Sequence, residues 1–109
     1  VVLEINHLWG CDRSVSVPYS SDFMAEFTEY GSDYAGASLL AFVNLGKEKG
    51  YRLIGTNAIA TNAFFLRIDI DCEWIPEADP RACFSHPRAK FGAEVRLPRV
   101  AKKPWVEIG

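Results

Sequence analysis

A hairpin-like stretch in the middle of the chain constrains the fold more than any other segment. The sequence GYRLIGTNAIATNAFFLRIDID runs from Gly50 to Asp71 and sets two apolar segments on either side of a short polar loop. The segments 51–55 and 62–70 are rich in aliphatic and aromatic residues, which indicates strands, and the Thr-Asn pairs between them are typical of turns. Because the second segment is apolar at most positions, we predict that it lies in the centre of a sheet.

The segment before this hairpin predicts a helix that packs on the sheet. The sequence SDYAGASLLAFVNLGKEKG has apolar residues at helical spacing, and Leu39 and Val43 belong to one stripe. We expect Ser32 or Asp33 to be the N-cap. Lysines in the last turn and Gly50 just after them are the usual end of a helix.

Shorter segments complete the prediction. Residues 1–5 read as a strand, residues 14–19 as a short edge strand, and residues 20–27 as a short helix. The segment 72–92 contains three prolines and predicts an irregular connection. The closing sequence AEVRLPRVAKKPWVEIG favours one short helix or strand followed by a terminal strand.

The order of these elements predicts a single small α/β domain over residues 1–109. A strand, a helix and a second strand form a crossover unit, whose two strands must be parallel, and the hairpin then adds an antiparallel strand. We therefore predict a small mixed sheet in which segment 62–70 lies between segments 1–5 and 51–55.

Composition limits the partners and the location of the protein. The 109 residues carry a formal net charge of −2, and the densest basic cluster is Lys102-Lys103, so we expect no nucleic-acid-binding surface. No apolar run approaches the ~20 residues of a membrane span, so we expect no membrane partner. Three cysteines without a CxxC pair fit a reducing cytoplasm, where we place the protein.

The chain also lacks the pattern of a signal peptide. Its first residue is Val1, inside an apolar run, which we interpret as typical of a fragment or of a processed chain.

Polar residues at the ends of the predicted strands predict a ligand site. Ligands of open α/β sheets bind beyond the carboxyl ends of the parallel strands. Those ends are followed by amide side chains and a histidine, and we expect the segment 7–32 to pass over the same edge and to bring tyrosines to it. The candidate ligand-binding residues are Asn6, His7, Tyr19, Tyr34, Asn57 and Asn62.

Simpler interpretations stand beside these assignments. Asparagine is favoured in turns, which accounts for Asn57 and Asn62 without a ligand. His7 is a candidate general base, but neither Asp12 nor Glu4 stands at a spacing typical of a catalytic pair. The two histidines and three cysteines show no metal-ligand spacing, so we predict no metal site and assign no catalytic residue.

Four segments of the sequence occur in the same order as in a known group of proteins. They are VLEIN, SVSVPYSSDF, YAGASLLAFVNLGKEKGYRLIGTN and NAFFLRIDI. They resemble the C-terminal part of methyltransferase-like proteins of class I, the Rossmann-like enzymes that depend on S-adenosylmethionine. In that sheet the antiparallel seventh strand lies between the fifth and the sixth. The resemblance covers residues 1–70, and ACFSHPR and PWVEIG have weaker counterparts.

The resemblance implies a partial domain rather than a complete enzyme. The cofactor of such enzymes lies on a glycine-rich turn after the first strand, and none of the 8 glycines here forms GxGxxG after a strand. The carboxylate that usually follows Val-Pro-Tyr in that group is Ser20 here. We therefore expect no cofactor in this chain, no catalytic competence of the chain alone, and S-adenosylmethionine only where a missing N-terminal half supplies its site.

A free-standing module on the same half-sheet is the alternative, binding a small ligand or another protein. A three-stranded sheet leaves one edge of the strand 1–5 unpaired, and exposed edges are commonly paired or covered. We therefore expect a homo-oligomer, in the simplest case a dimer across this edge or across the apolar face of the sheet.

Overall fold

The computed structural model describes residues 1–70 and 73–109 and has a mixed α/β architecture. Two short 3₁₀ helices, His7–Trp9 and Pro80–Phe84, and a π-helical turn, Gly92–Arg96, accompany the regular elements. The strands and helices are β1 (Val2–Glu4), β2 (Val15–Ser16), α1 (Leu39–Lys49), β3 (Tyr51–Thr56), β4 (Asn62–Arg67), α2 (Pro87–Phe91), α3 (Leu97–Val100) and β5 (Val106–Glu107).

The main sheet has the strand order β1-β4-β3. Strand β4 pairs antiparallel with both neighbours, with Val2 opposite Phe64 and Leu53 opposite Phe65. The predicted order of the three strands and the central position of the segment that begins at Asn62 are confirmed. The predicted mixed sheet is wrong, because both strand pairings of this sheet are antiparallel. Strand β4 ends at Arg67, three residues before the predicted end.

A second, two-stranded sheet ties the end of the chain to the segment that follows β1. Strands β2 and β5 pair antiparallel, with Val15 opposite Glu107. Arg13 forms an ion pair with the carboxylate of Glu107 beside this pairing. The predicted strand over 14–19 is therefore present but covers two residues.

The predicted start of the helix at Ser32 or Asp33 is wrong, because α1 begins at Leu39. Its N-cap is the buried Ser38, whose Oγ accepts hydrogen bonds from the backbone N–H groups of Val15 and Ala41, at 3.0 and 3.4 Å. The predicted end is confirmed. Gly50 adopts a left-handed conformation, with φ of 84°, and its N–H donates to the last carbonyls of the helix.

The residues before α1 are held extended by contacts with the end of β1. The side-chain amide of Asn6 donates to the backbone oxygens of Asp33 and Ala35, at 2.8 and 3.0 Å. Gly36 has a φ of 67°, a conformation outside the right-handed helix. These contacts prevent a helical turn at 33–36, and we call residues 28–36 the strap.

The predicted helix over 20–27 is wrong. Residues 20–27 contain no helix, and Met24 and Phe27 are 85% and 80% exposed. A short segment with no buried apolar face gains too little from packing to offset helix nucleation.

The irregular connection predicted for 72–92 is wrong in part. Residue 72 lies outside the described residues, but the remainder contains the second 3₁₀ helix and α2. Both begin with a proline, Pro80 and Pro87, whose fixed φ suits the first turn of a helix.

The C-terminal helical segment, residues 87–100, consists of α2, the π-helical turn and α3. Pro98, in the first turn of α3, has no N–H to donate to the carbonyl of Glu94, so one α-helical hydrogen bond is missing there. The N–H of Leu97 instead donates to the oxygen of Gly92, five residues earlier. A proline near the end of this segment thus accounts for its widened turn.

The core lies between α1 and the main sheet. Leu39 and Val43 of α1 pack with Leu53 and Phe65 of the sheet and with Ile5. The predicted apolar stripe of the helix is therefore the face that packs on the sheet. In the described part of the chain, no helix has the length and apolar character needed to cross a membrane.

Candidate functional site

A cleft of about 870 Å³ opens beside the carboxyl end of β1. The end of β1 and the strap form part of its wall, and the C-terminal helical segment closes the other side. Apolar side chains, including Ile59 and Phe91, alternate with polar ones along the wall. The charged and reactive side chains of the lining are Glu4, His7, Ser32, Asp33, Arg88 and Arg96.

A buried ion pair joins the two sides of the cleft. Arg96 donates from Nε and Nη2 to Oδ1 of Asp33, at 3.1 and 2.5 Å. The side chain of Asp33 is only 2% exposed and that of Arg96 19%. Arg96 also donates from Nη2 to the backbone oxygen of Tyr30, at 3.1 Å, so Nε and Nη2 both bind the strap.

Two buried oxygens of the strap have no hydrogen-bond partner within the described residues. They are Oδ2 of Asp33 and Oγ of Ser32, and both residues line the cleft. Buried polar atoms of native proteins are almost always hydrogen-bonded, so exceptions of this kind call for a specific explanation. These two oxygens offer acceptor capacity that the described protein groups leave unused.

His7 lines the cleft and lies against the π-helical turn. A Cβ atom built on Gly92 would lie 3.0 Å from His7 Nε2 and 2.9 Å from Leu8 Cδ2, so a larger residue here would force these side chains to shift. Burial and, to a lesser degree, the charge of Arg96 lower the pKa of His7, with a smaller opposing effect of Asp33. The imidazole is therefore mainly neutral at pH 7 and is able to accept a proton or a hydrogen bond.

Asn6, the first predicted site residue, lies at the cleft as a positioning residue. Both donors of its amide bind strap carbonyls, and its oxygen accepts from the N–H of Leu8, at 3.1 Å. The side chain thus fixes the strap and caps the 3₁₀ helix that carries His7. Asn6 and His7 are the two predicted residues that the structure brings together in the cleft.

Asn57 and Asn62 lie in the hairpin and outside the cleft lining. The Asn57 oxygen accepts from the N–H groups of Thr61 and Asn62, at 2.9 and 3.0 Å, and its amide donates to the Thr61 hydroxyl, at 2.8 Å. This is the turn chemistry that the sequence offered as the simpler interpretation. The loop reaches the cleft through Ile59 and Thr61 instead.

Tyr19 and Tyr34 also lie outside the cleft lining. Tyr19 is 94% exposed, and the Tyr34 hydroxyl donates to the backbone oxygen of Pro104. The Tyr34 ring packs edge-on against Trp105 at a centroid distance of 5.0 Å. The tyrosine in the cleft wall is Tyr30.

The pair of Asp33 and Arg96 was missed from the sequence. Its members are 63 residues apart, and no local spacing links them. Asp33 has the features of a helix N-cap in the sequence, whereas the folded chain uses it to hold Arg96. Arg88, at the second position of α2, carried no signal either.

No group of three or more His, Cys, Asp or Glu side chains that could hold a metal ion occurs among residues 1–70 and 73–109. Strand β1 is followed by the 3₁₀ helix His7–Trp9, in which Leu8 and Trp9 are buried, and not by a glycine-rich turn that opens a long helix. In the described part of the chain, a cofactor-binding turn of that kind therefore does not follow β1.

Comparison with known proteins gave no match to a family model, to a curated protein or to a solved structure.

Proposed function

We propose that this chain is a methyltransferase-like partial domain that binds a small polar molecule in the cleft and does not catalyse methyl transfer alone. Strands β1 and β3 both run antiparallel to β4 and thus point the same way, and α1 lies between them in the chain. This arrangement supports the strand–helix–strand crossover that the sequence resemblance implies. The cleft occupies the edge of the sheet where α/β domains bind ligands.

The observation that carries the binding proposal is the unused acceptor capacity in the cleft wall. Oδ2 of Asp33 and Oγ of Ser32 are buried without partners within the described residues. A buried acceptor that gains a hydrogen bond avoids a desolvation cost of about 1–3 kcal/mol. A ligand with an O–H or N–H group that reaches these oxygens gains this free energy on binding.

His7 adds a third acceptor to the cleft lining. Its lowered pKa keeps the ring neutral near pH 7, so one ring nitrogen can accept a hydrogen bond from the ligand. In a complete enzyme the same nitrogen would take the proton that an acceptor hydroxyl or amine loses. The chain alone supplies the polar molecule with a site and a base.

A titration followed by amide NMR tests the proposal. With phenol as the probe, we expect shift changes that converge on residues 6–8, 32–35 and 88–96. The variant Asp33→Asn alters the acceptor and is expected to weaken the response, whereas Asp22→Asn, a change outside the cleft lining, is the matched control. Shift changes centred on the shallow groove at Leu53 and Pro80, or none at all, would refute the proposal.

Calorimetry with S-adenosylmethionine separates the partial domain from a complete transferase. We expect no heat of binding above the heat of dilution, because no GxGxxG turn follows a strand in this sequence. Tight binding of S-adenosylmethionine would overturn the partial-domain proposal. If the chain binds phenol and needs no cofactor-binding partner for that binding, the free-standing module is favoured.

We also propose that the domain self-associates through the free edge of β1. Val1 and Val2 are 62% and 59% exposed at this edge. Pairing of two β1 edges would shield these side chains and would give the backbone N–H and C=O groups on that edge hydrogen-bond partners. We expect light scattering after size-exclusion chromatography to give the mass of a dimer for the native chain and the mass of a monomer for Val2→Lys. A monomeric native chain at high concentration would contradict the proposal.

A further inference from the structure

We propose that the ligand of the cleft is an aromatic amino acid with a ring hydroxyl or ring N–H, or a close derivative of one. Its ring donor faces His7, Ser32 and Asp33, and its ammonium and carboxylate groups face Glu4 and Arg88. This inference rests on the proposed binding function and specifies its ligand class.

The charges of the lining favour a ligand without net charge. The cleft holds two carboxylates, Glu4 and Asp33, and two guanidiniums, Arg88 and Arg96, while His7 is mainly neutral. The sum is zero, so the lining does not favour a ligand with a net charge of either sign.

Two of these charges are exposed and free of ion pairs within the described residues. Asp33 and Arg96 neutralise each other, whereas neither Glu4 nor Arg88 has an ion-pair partner within 4.0 Å in the described part of the chain. Both side chains belong to exposed residues, so a ligand can reach them without disrupting the core. A zwitterion supplies an ammonium for Glu4 and a carboxylate for Arg88, and arginine is well suited to bind a carboxylate with two parallel hydrogen bonds.

The apolar part of the lining fits a planar ring. Tyr30 and Phe91 meet edge to face, with ring centroids 5.5 Å apart, and both are partly exposed, at 37% and 42%. Phe27 adds a ring that is 80% exposed at the same cleft. Aromatic rings pack on one another in edge-to-face or offset arrangements, which stabilise the contact beyond the burial of their area.

The polar groups of the strap and His7 favour a hydrogen-bond donor at the far end of that ring. The free carboxylate oxygen of Asp33 only accepts, and the Ser32 hydroxyl and one nitrogen of the neutral His7 imidazole are also able to accept. A phenol hydroxyl or an indole or imidazole N–H supplies the matching donor. A plain benzene ring leaves the acceptors unpaired and is rejected for that reason.

Calorimetric titration with four related probes tests the inference. The probes are free L-tyrosine, tyramine, which has no carboxylate, 3-(4-hydroxyphenyl)propionate, which has no amine, and phenol. We expect L-tyrosine to bind at least tenfold more tightly than either truncated probe, because a hydrogen bond to a charged group contributes about 1.5–3 kcal/mol and tenfold corresponds to about 1.4 kcal/mol. Replacing L-tyrosine by L-phenylalanine is expected to lose binding by a similar factor.

Charge-neutral variants assign the two ends of the zwitterion. Arg88→Gln is expected to weaken the binding of L-tyrosine about tenfold and to leave the binding of tyramine unchanged. Glu4→Gln is expected to weaken the binding of L-tyrosine and to leave the binding of 3-(4-hydroxyphenyl)propionate unchanged. Arg81→Gln, an exposed arginine outside the cleft lining, is the control and is expected to change neither.

The outcomes separate this inference from the proposed function. Equal affinity for L-tyrosine and phenol, or an equal effect of Arg88→Gln on L-tyrosine and tyramine, overturns the zwitterion assignment. If phenol still binds and Asp33→Asn abolishes its binding, the proposed function stands without this ligand class. Absence of binding for all four probes contradicts both.

Discussion

Asn6 holds three backbone groups from two separate segments with one side chain. Its amide binds the strap at Asp33 and Ala35, and its oxygen binds the N–H of Leu8. The residue is only 8% exposed. When its side chain is removed, water therefore cannot take its place as the hydrogen-bond partner of these backbone groups.

We expect Asn6→Ala to lower the free energy of unfolding by about 2–3 kcal/mol, because two buried backbone groups and one partly buried one lose their partner. Asn62→Ala is the matched control, since the Asn62 side chain makes no hydrogen bond among the described residues, and a change below about 0.5 kcal/mol is expected. Urea unfolding followed by circular dichroism measures both. Equal effects of the two substitutions would contradict the positioning role of Asn6.

His7 makes the stability of the domain depend on pH near neutrality. Burial holds its pKa in the folded state below the ordinary value of 6.5. As the pH falls through about 6.5, the unfolded chain therefore binds a proton that the folded chain does not, and the free energy of unfolding decreases. The decrease ends once the pH lies below the pKa of the folded state.

We expect His7→Gln to show a smaller loss of stability between pH 8 and pH 5 than the native chain. Chemical denaturation at the two pH values gives the comparison, and the carboxylates common to both proteins cancel in the difference. Parallel stability curves for the two proteins would mean that the fold does not disfavour the charged imidazole.

At the scale of elements, the C-terminal helical segment shapes the cleft. Its π-helical turn brings Gly92 against the 3₁₀ helix of His7, and Arg88 and Arg96 face the same cleft, four residues to either side. A residue with a side chain at this position would separate the two elements. Single π-helical turns often mark functional sites, which agrees with this position at the cleft.

We expect Gly92→Ala to destabilise the domain by about 1–3 kcal/mol, because its Cβ would lie 2.9 Å from the buried Leu8. Gly46→Ala is the matched control in α1. Its Cβ would lie 3.5 Å from the Phe65 ring, an ordinary contact, so a gain of about 0.5–1 kcal/mol from helix propensity is expected. Thermal unfolding measures the stability of both variants. If Gly92→Ala leaves the stability unchanged, the two helical elements separate without cost.

At the scale of the whole molecule, contacts distant in the sequence connect the strap to the C-terminal helical segment. The ion pair of Asp33 and Arg96 spans 63 residues, and that of Glu29 and Arg99 spans 70. The first is buried and the second is exposed at the surface. The buried pair therefore holds the two sides of the cleft together.

We expect Arg96→Met to cost about 3–5 kcal/mol, because it leaves the buried carboxylate of Asp33 without its counter-charge. Arg99→Met, which removes an exposed pair, is the control and is expected to have no measurable effect on stability. Limited proteolysis of the strap provides a second measurement, with faster cleavage in Arg96→Met only. Equal cleavage rates in the two variants would mean that the buried pair does not anchor the strap.

Local sequence determined the elements whose signals are contiguous. The hairpin, the end of α1 at Gly50 and the central place of β4 follow from apolar patterning and turn residues, and the structure contains all three. The turn interpretation of Asn57 also followed from the sequence, because asparagine side chains bind the backbone a few residues away. In each case the interacting groups are close neighbours in the chain.

Only the tertiary structure decided where α1 begins and what lines the cleft. Ser32 and Asp33 have the local features of an N-cap, but Asn6 binds the carbonyls of the strap and Arg96 binds the carboxylate of Asp33. These partners come from opposite ends of the chain, so no local pattern predicts them. Folding brings these distant polar groups together at the cleft. Beside them, two buried oxygens have no partner within the described residues.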